Sequence, residues 1–446
     1  MIARRAVLAL LARIRSGRLT VCEGGRRHVF GSGTPQATVV VRSPGAWTAA
    51  LRGSRGLAES YAAGQWDSPD LTAVIRVAAR NLGGLDRLRR RLAPVLAPWQ
   101  RARGLVERNT PARSRRDIAA HYDLGNDLFE LMLDPTMMYS AALFARRDMT
   151  LEEASRAKLD RICDKLDLGP GDDVVEIGTG WGGFAIHAAA TRGCRVTTTT
   201  LSREQRALAL ERVRDAGLSD RVSVLLQDYR ELTGAYDKLV SIEMIEAVGW
   251  RDFPTFFERC SELLEPDGTM LLQAIAIDDR AYGVEKDSAS FIRQIIFPDG
   301  CLPSVEVIAH CVAGHTDLRF LDLEDISAHY VPTLRAWRDN LERSAGELTR
   351  RGFDEKFQRL WRFYLAYCEA GFAERRIRDV QVLLAKPEFR EEVGFELQVS
   401  GFESRSPDSK PDTRNSKLLH GMNLEQVRAP SLSRRKAGSD SDPVSR

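Results

Sequence analysis

Between Val174 and Gly183 the chain reads Val-Val-Glu-Ile-Gly-Thr-Gly-Trp-Gly-Gly: a short apolar run, Glu176, then Gly178, Gly180, Gly182 and Gly183 in a turn before a helix-like segment. Glycines at such places let backbone approach a ligand and take conformations that a Cβ forbids, and the helix that follows offers free N–H groups at its start. The chemistry served is the holding of a nucleotide cofactor. Gly178, Gly180 and Gly183 fit the G-x-G-x-x-G spacing of dinucleotide sites. That version expects an acid about 20 positions later for the ribose, where this chain has Thr197, Thr198, Thr199, Thr200, Leu201 and Ser202. The carboxylate near the glycines is Glu176, which precedes them.

An acid closing a first strand before G-x-G-x-G resembles the pattern of S-adenosylmethionine methyltransferases, and the resemblance implies that ligand rather than NAD. Strands must carry the turn. Val174–Ile177, Arg195–Thr200, Val222–Leu226, Leu239–Ile242 and Met270–Ile277 read as strands with helical stretches between them. Strand and helix in alternation imply an α/β class fold, a doubly wound Rossmann-like sheet whose ligands sit beyond the carboxyl ends of the strands. Leu264 to Gly268, with Pro266 and Asp267, reads as a turn before the last of these strands.

A chain of 446 residues, 43% hydrophobic, can bury a substantial core and divides into domains. Residues 1–86 read as a smaller α+β N-terminal module for lipid or membrane docking. Its amphipathic helix places Val7, Leu10, Leu11 and Ile14 on one face, and residues 17 to 42 alternate as a small antiparallel meander. Residues 87–116 form a basic linker with ten arginines against the single acid Glu107. The methyltransferase domain spans 117–390, and 404–446 is a polar tail of disordered composition. Seven cysteines without a C-x-x-C pair indicate a reducing compartment and exclude a zinc ribbon, and no metal site is expected. No run approaches the roughly 20 apolar residues of a membrane span, so the expected location is cytoplasmic with peripheral membrane contact.

Longer strings carry a more specific resemblance. His121-Tyr122-Asp123-Leu124-Gly125-Asn126-Asp127-Leu128-Phe129, Met138-Tyr139-Ser140, Thr200-Leu201-Ser202-Arg203-Glu204-Gln205, Leu226-Gln227-Asp228-Tyr229-Arg230 and Ile296-Phe297-Pro298-Asp299-Gly300-Cys301-Leu302-Pro303-Ser304 resemble segments of the cyclopropane fatty acid synthase family. The similarity runs from about residue 45 to about residue 386. It implies transfer of a one-carbon unit from S-adenosylmethionine to a cis double bond in an acyl chain. Tyr139, Ser140, Glu176, Gly178, Gly180, Gly182, Thr200, Leu201, Gln205, Asp228, Tyr229 and Arg230 are the implied cofactor residues. The resemblance also implies a bicarbonate ion as charge partner and base, held by Glu246, Gln273, the backbone of Ile275 and Tyr330, and it marks Cys368 as active beside Glu246 and Tyr330.

A sulfonium methyl is already electrophilic, so the alkene can attack it without an activated serine or cysteine, and alignment is the main lever. Attack leaves a carbocation, which oriented negative charge in a water-poor pocket stabilises. Tyr139, Phe144, Trp181, Phe297 and Trp337 are ring candidates for facing it. Nothing basic surrounds Cys368 in sequence, which reads as a packed thiol rather than a nucleophile. Three positions depart from the family: Ala141 for a cysteine, Gln273 for a histidine and Ala247 for a histidine. The run Glu243 to Gly249 resembles the branch that makes methyl-branched fatty acids. Ring closure to a cyclopropane chain and a methyl- or methylene-branched product therefore both stand, with an inactive lipid-binding pseudoenzyme as a reading of another class. Expected partners are an unsaturated phospholipid, an anionic membrane surface, a second copy of the chain and a separate reductase. Trp99 is the one aromatic between Arg87 and Arg116, which argues against nucleic acid.

Overall fold

The computed structural model describes residues 2–81 and 125–390, apart from 287, 289 and 299. The arginine block, His121 to Leu124 and the polar tail lie outside the described residues.

Two sheets organise the described residues. The first has the order β2-β1-β3-β4, built from β1 (Gly17–Glu23), β2 (Arg26–Ser32), β3 (Gln36–Val41) and β4 (Trp66–Asp67). It is not the antiparallel meander that the alternation suggests: β1 pairs antiparallel with β2 and parallel with β3. The chain leaves β2 beside the start of β1, where Ser32 faces Gly17, and β3 begins on the far side with Gln36 opposite Arg18. This crossing demands tight backbone. A Cβ on Gly31 would collide with the Gly17 carbonyl oxygen. Over this sheet lies the helix Ile2–Leu11, with Val7 buried and Leu11 and Ile14 packed against the same core. Leu10, placed on the buried face by periodicity, is instead exposed.

The second sheet has the order β10-β11-β9-β8-β5-β6-β7. Its members are β5 (Asp173–Ile177), β6 (Arg195–Thr200), β7 (Val222–Leu226), β8 (Tyr236–Ile242), β9 (Leu264–Ile277), β10 (Arg319–Asp325) and β11 (Ile377–Ala385). Strands β5 to β9 run parallel, while β11 is antiparallel to β9 and β10 to β11. Strand order reverses at β5, between β6 and β8, and a crevice at such a point is where doubly wound sheets take ligands. The Pro266–Gly268 stretch, a turn by its residue types, is drawn into β9 because Glu388 and Lys386 donate their amides to the Pro266 and Gly268 carbonyls.

The N-terminal sheet and the methyltransferase sheet meet through the helix Glu355–Ala373. Tyr61, Trp66 and Leu71 share a core with Phe363 and Leu365 on that helix. Thr72 Oγ1 donates to the buried Glu369 carboxylate at 2.9 Å, and Arg338 and Arg335 close on it at 2.5 and 3.0 Å.

Candidate active site

Strand β5 is buried along Val174–Ile177 and releases its chain into the glycine turn at the switch point. Gly178 has φ +106° and Gly180 φ +51°. A Cβ on Gly178 would come within 3.1 Å of the Met244 side chain, whereas one on Gly180 would meet open space. The helix Gly183–Arg192 starts directly after the turn. Sheet register, Ile177 opposite Thr199 and Thr200 opposite Leu226, gathers Glu176, Thr200, Leu201, Asp228 and Tyr229 at one edge.

Each polar group there is held. Thr198 Oγ1 donates to Glu176 at 2.6 Å, and burial pushes the Glu176 carboxyl up to about 8. Thr200 Oγ1 donates to Gln205 Oε1 at 2.8 Å. Asp228 accepts from the Arg230 amide at 3.0 Å and grips its guanidinium at 2.9 and 2.7 Å, with that guanidinium 5.5 Å over the Tyr229 ring. An open space over Gly180, helix N–H groups and a buried acid beside it suit a nucleoside carrying an amino-acid arm, so the residues present fit S-adenosylmethionine.

A second polar cluster forms where β8 ends. Glu243 takes φ +50°, a left-handed conformation uncommon outside glycine. Its Oε1 accepts from the Ala141 amide at 2.9 Å and from Gln273 Nε2 at 2.8 Å, and its Oε2 accepts from the Tyr330 hydroxyl at 2.5 Å. Gln273 also donates to Asp379 at 3.1 Å and accepts from Gln381 Nε2 at 3.1 Å, which sets its amide's orientation. Glu246 accepts from the Ile275 amide at 2.5 Å through Oε1, while its buried Oε2 has no hydrogen-bond partner among the described residues. Burial, then the nearby Glu243 charge, pushes Glu246 up to about 8. Asp379 is pushed well above the carboxylate range by burial and by Glu243 and Glu246.

Lys158 joins the two clusters. Fully buried, it donates to Ser140 Oγ at 2.8 Å. Burial lowers it to about 8, against the upward pull of Glu243, Asp379, Asp134 and Glu176. Residue types alone did not reveal Glu243, Lys158 or Asp379. Glu243 opens the run to Gly249, whose residue types assign it no role, and a lysine in a helical stretch reads as a solvated face.

A cavity of about 1740 Å³ is lined at one end by Tyr139, Glu243, Glu246, Ile275, Tyr330 and Cys368. It continues past Phe297 and Tyr364 to Leu19, Val39, Trp47 and Val77 of the N-terminal sheet's core. Tyr139 and Tyr364 share a hydrogen bond between hydroxyls at 2.7 Å. Of the five candidate rings, Tyr139 and Phe297 line this space, while Trp181 and Trp337 are buried in the packed core. Burial pushes the Cys368 thiol up to about 12, so it is a neutral part of the wall. No described helix is long and apolar enough to cross a membrane.

A parallel sheet reversing at β5, a glycine turn at that reversal and a fitting nucleoside site define a class I S-adenosylmethionine-dependent methyltransferase. Residues 109–382 match the family described as mycolic acid cyclopropane synthetase. The chain is 42% identical over 327 residues to the tuberculostearic acid methyltransferase of Mycobacterium tuberculosis, covering 71% of this chain and 75% of that one. It is 36% identical over 358 residues to the cyclopropane-fatty-acyl-phospholipid synthase of Escherichia coli strain K12, covering 80% and 89%. Among solved structures, a cyclopropane synthase from Mycobacterium tuberculosis superposes with a TM-score of 0.58 at 33% identity, over 63% of this chain and all of that one. A mycolic acid cyclopropane synthase complexed with SAH and CTAB gives 0.57 at 31% identity, over 61% and 98%. The chain belongs to the cyclopropane synthase family of S-adenosylmethionine-dependent lipid methyltransferases.

Proposed function

We propose that this enzyme adds a one-carbon unit to the cis double bond of an unsaturated acyl chain of a phospholipid, with a cyclopropane chain as the product. The observation that carries the reading is a cavity, largely apolar along its length, with two glutamates in its wall next to the cofactor edge. Glu176, Thr200, Gln205, Asp228, Tyr229 and Arg230, with the turn from Gly178 to Gly182, would hold S-adenosylmethionine. When bound, it supplies an electrophilic methyl group.

The chain's own residues do the rest. Walls such as Leu19, Val39 and Trp47 replace water around an acyl chain, which offsets the cost of drawing it from a bilayer. Exclusion of water keeps a carbocation from being captured as an alcohol. Positive charge forming on the acyl carbon faces the Glu243 carboxylate, with Glu246, which burial and the Glu243 charge push up to about 8, beside it. Burial pushes the Glu243 carboxyl above the ordinary carboxylate value, and hydrogen bonds from Tyr330, the Ala141 amide and Gln273, with the Lys158 charge, pull it back toward the ionised form. Arg13, Arg52, Arg280 and Lys286, also on the cavity lining, suit a lipid phosphate at an anionic membrane surface.

A second reading, a methyl- or methylene-branched chain completed by a separate reductase, draws support from the 42% identity to the tuberculostearic acid enzyme. Both readings are tested by incubating the protein with S-adenosylmethionine and vesicles of a cis-monounsaturated phospholipid, with NMR of the extracted lipid. Cyclopropane protons support the first reading and retained olefinic protons beside a new branch support the second. Rates on anionic vesicles should fall with added salt. Vesicles returned unchanged, with the cofactor unconsumed, would contradict both.

A further inference from the structure

Bicarbonate does not fit this site as it stands. Of the groups that family resemblance assigns to the ion, the Tyr330 hydroxyl and Gln273 Nε2 both donate to Glu243, and the Ile275 amide donates to Glu246. The Ala141 amide completes the set around Glu243. We propose that the Glu243 carboxylate occupies the place of the ion and is the reaction's proton acceptor, so that this enzyme turns over without bicarbonate.

Three features of the chain converge on this arrangement. Ala141 has no side chain beyond its Cβ, so position 141 contributes its amide and leaves the space to Glu243. Gln273 cannot turn its amide over, because Gln381 donates to its oxygen and its nitrogen must then point to Glu243 and Asp379. The backbone at Glu243 keeps φ +50°, a left-handed conformation that is strained for a residue with a side chain. Strain of that kind persists where surrounding contacts over-determine it, and here the contacts are the three donors to its carboxylate.

The step, which rests on the activity proposed above, balances. The alkene electron pair forms a bond to the methyl carbon as the methyl–sulfur bond breaks, leaving a neutral thioether and a cationic acyl carbon. Glu243 then takes one proton. If it comes from the new methyl, the C–H pair closes the three-membered ring; if from the adjacent chain carbon, the pair restores a double bond. Either way the positive charge that left sulfur ends as a proton on the carboxylate.

Titration of the protein with 13C-bicarbonate, followed by NMR, tests occupancy independently of turnover. The unaltered enzyme should show no saturable binding, and Glu243→Gly should bind the ion, since glycine accepts the backbone conformation at 243 without strain. In argon-sparged buffer the unaltered enzyme should run at the same rate with or without bicarbonate. Glu243→Gly should lose about a hundredfold or more and regain turnover with the ion, while the near-isosteric Glu243→Gln should fold, lose turnover and stay unrescued. Saturable binding to the unaltered enzyme, stimulation of it by the ion, full activity of Glu243→Gly without the ion, or Glu243→Gly that neither binds nor responds to it would each overturn the proposal. If no lipid is methylated at all, the activity reading fails, and the binding titration still decides what fills the site.

Discussion

At the scale of single residues, the site is a balance of buried charge. Glu176 and Glu246 lie in apolar surroundings that push both up to about 8. The folded protein therefore keeps protons that the unfolded chain releases near the ordinary carboxylate value. The resulting stabilisation is fully present below that value and is lost as pH rises through about 8. The thermal midpoint should fall between about pH 5 and about pH 8.5, and Glu246→Gln should flatten the fall because the amide has nothing to release. A midpoint for Glu246→Gln that falls as steeply as the parent's would show that Glu246 is not the buried titrating group. The glycine turn and Glu176 were legible in sequence, because their spacing encodes backbone geometry. The role of Glu243 was not. Its meaning depends on Gln273, one strand over, and on Tyr330, 87 positions away in the chain.

At the scale of elements, strand β9 and the helix Glu355–Ala373 do most of the positioning. One presents Gln273 and the Ile275 amide to the two glutamates. The other walls the cavity with Tyr364 and Cys368 and, through Glu369, holds Thr72 at the start of the N-terminal module's helix Leu71–Asn81. Glu369 is buried with Arg338 and Arg335 on its carboxylate, so Glu369→Ala leaves guanidinium charge without its partner. Such a loss costs about 3 kcal/mol; urea unfolding monitored by tryptophan fluorescence should show it, and a change below about 0.5 kcal/mol would mean the network is ornamental. Parallel strands β5 to β9 were readable as strand-like runs, apolar or β-branched, between helical stretches. Strands β10 and β11 escaped notice: β10 is an exposed edge without clean alternation, and β11 is buried on both faces with the polar Asp379 and Gln381 inside it.

At the scale of the whole molecule, the proposed reaction makes the N-terminal sheet part of its vessel. The cavity that begins at Glu243 ends among its core residues, and periodicity in sequence could announce a small module there but not that its interior opens toward the active site. Reading two sheets as one container depends on contacts such as Tyr61 and Trp66 against Phe363, which no local pattern encodes. The claim on which the account turns is that carbon is delivered to an acyl chain inside this container. The direct measurement supplies S-adenosylmethionine labelled with 13C in the methyl group, together with cis-monounsaturated phospholipid vesicles, and locates the label by tandem mass spectrometry. Label on the carbons of the former double bond is the predicted result; label on the headgroup, or none in lipid while the cofactor is consumed, would contradict it.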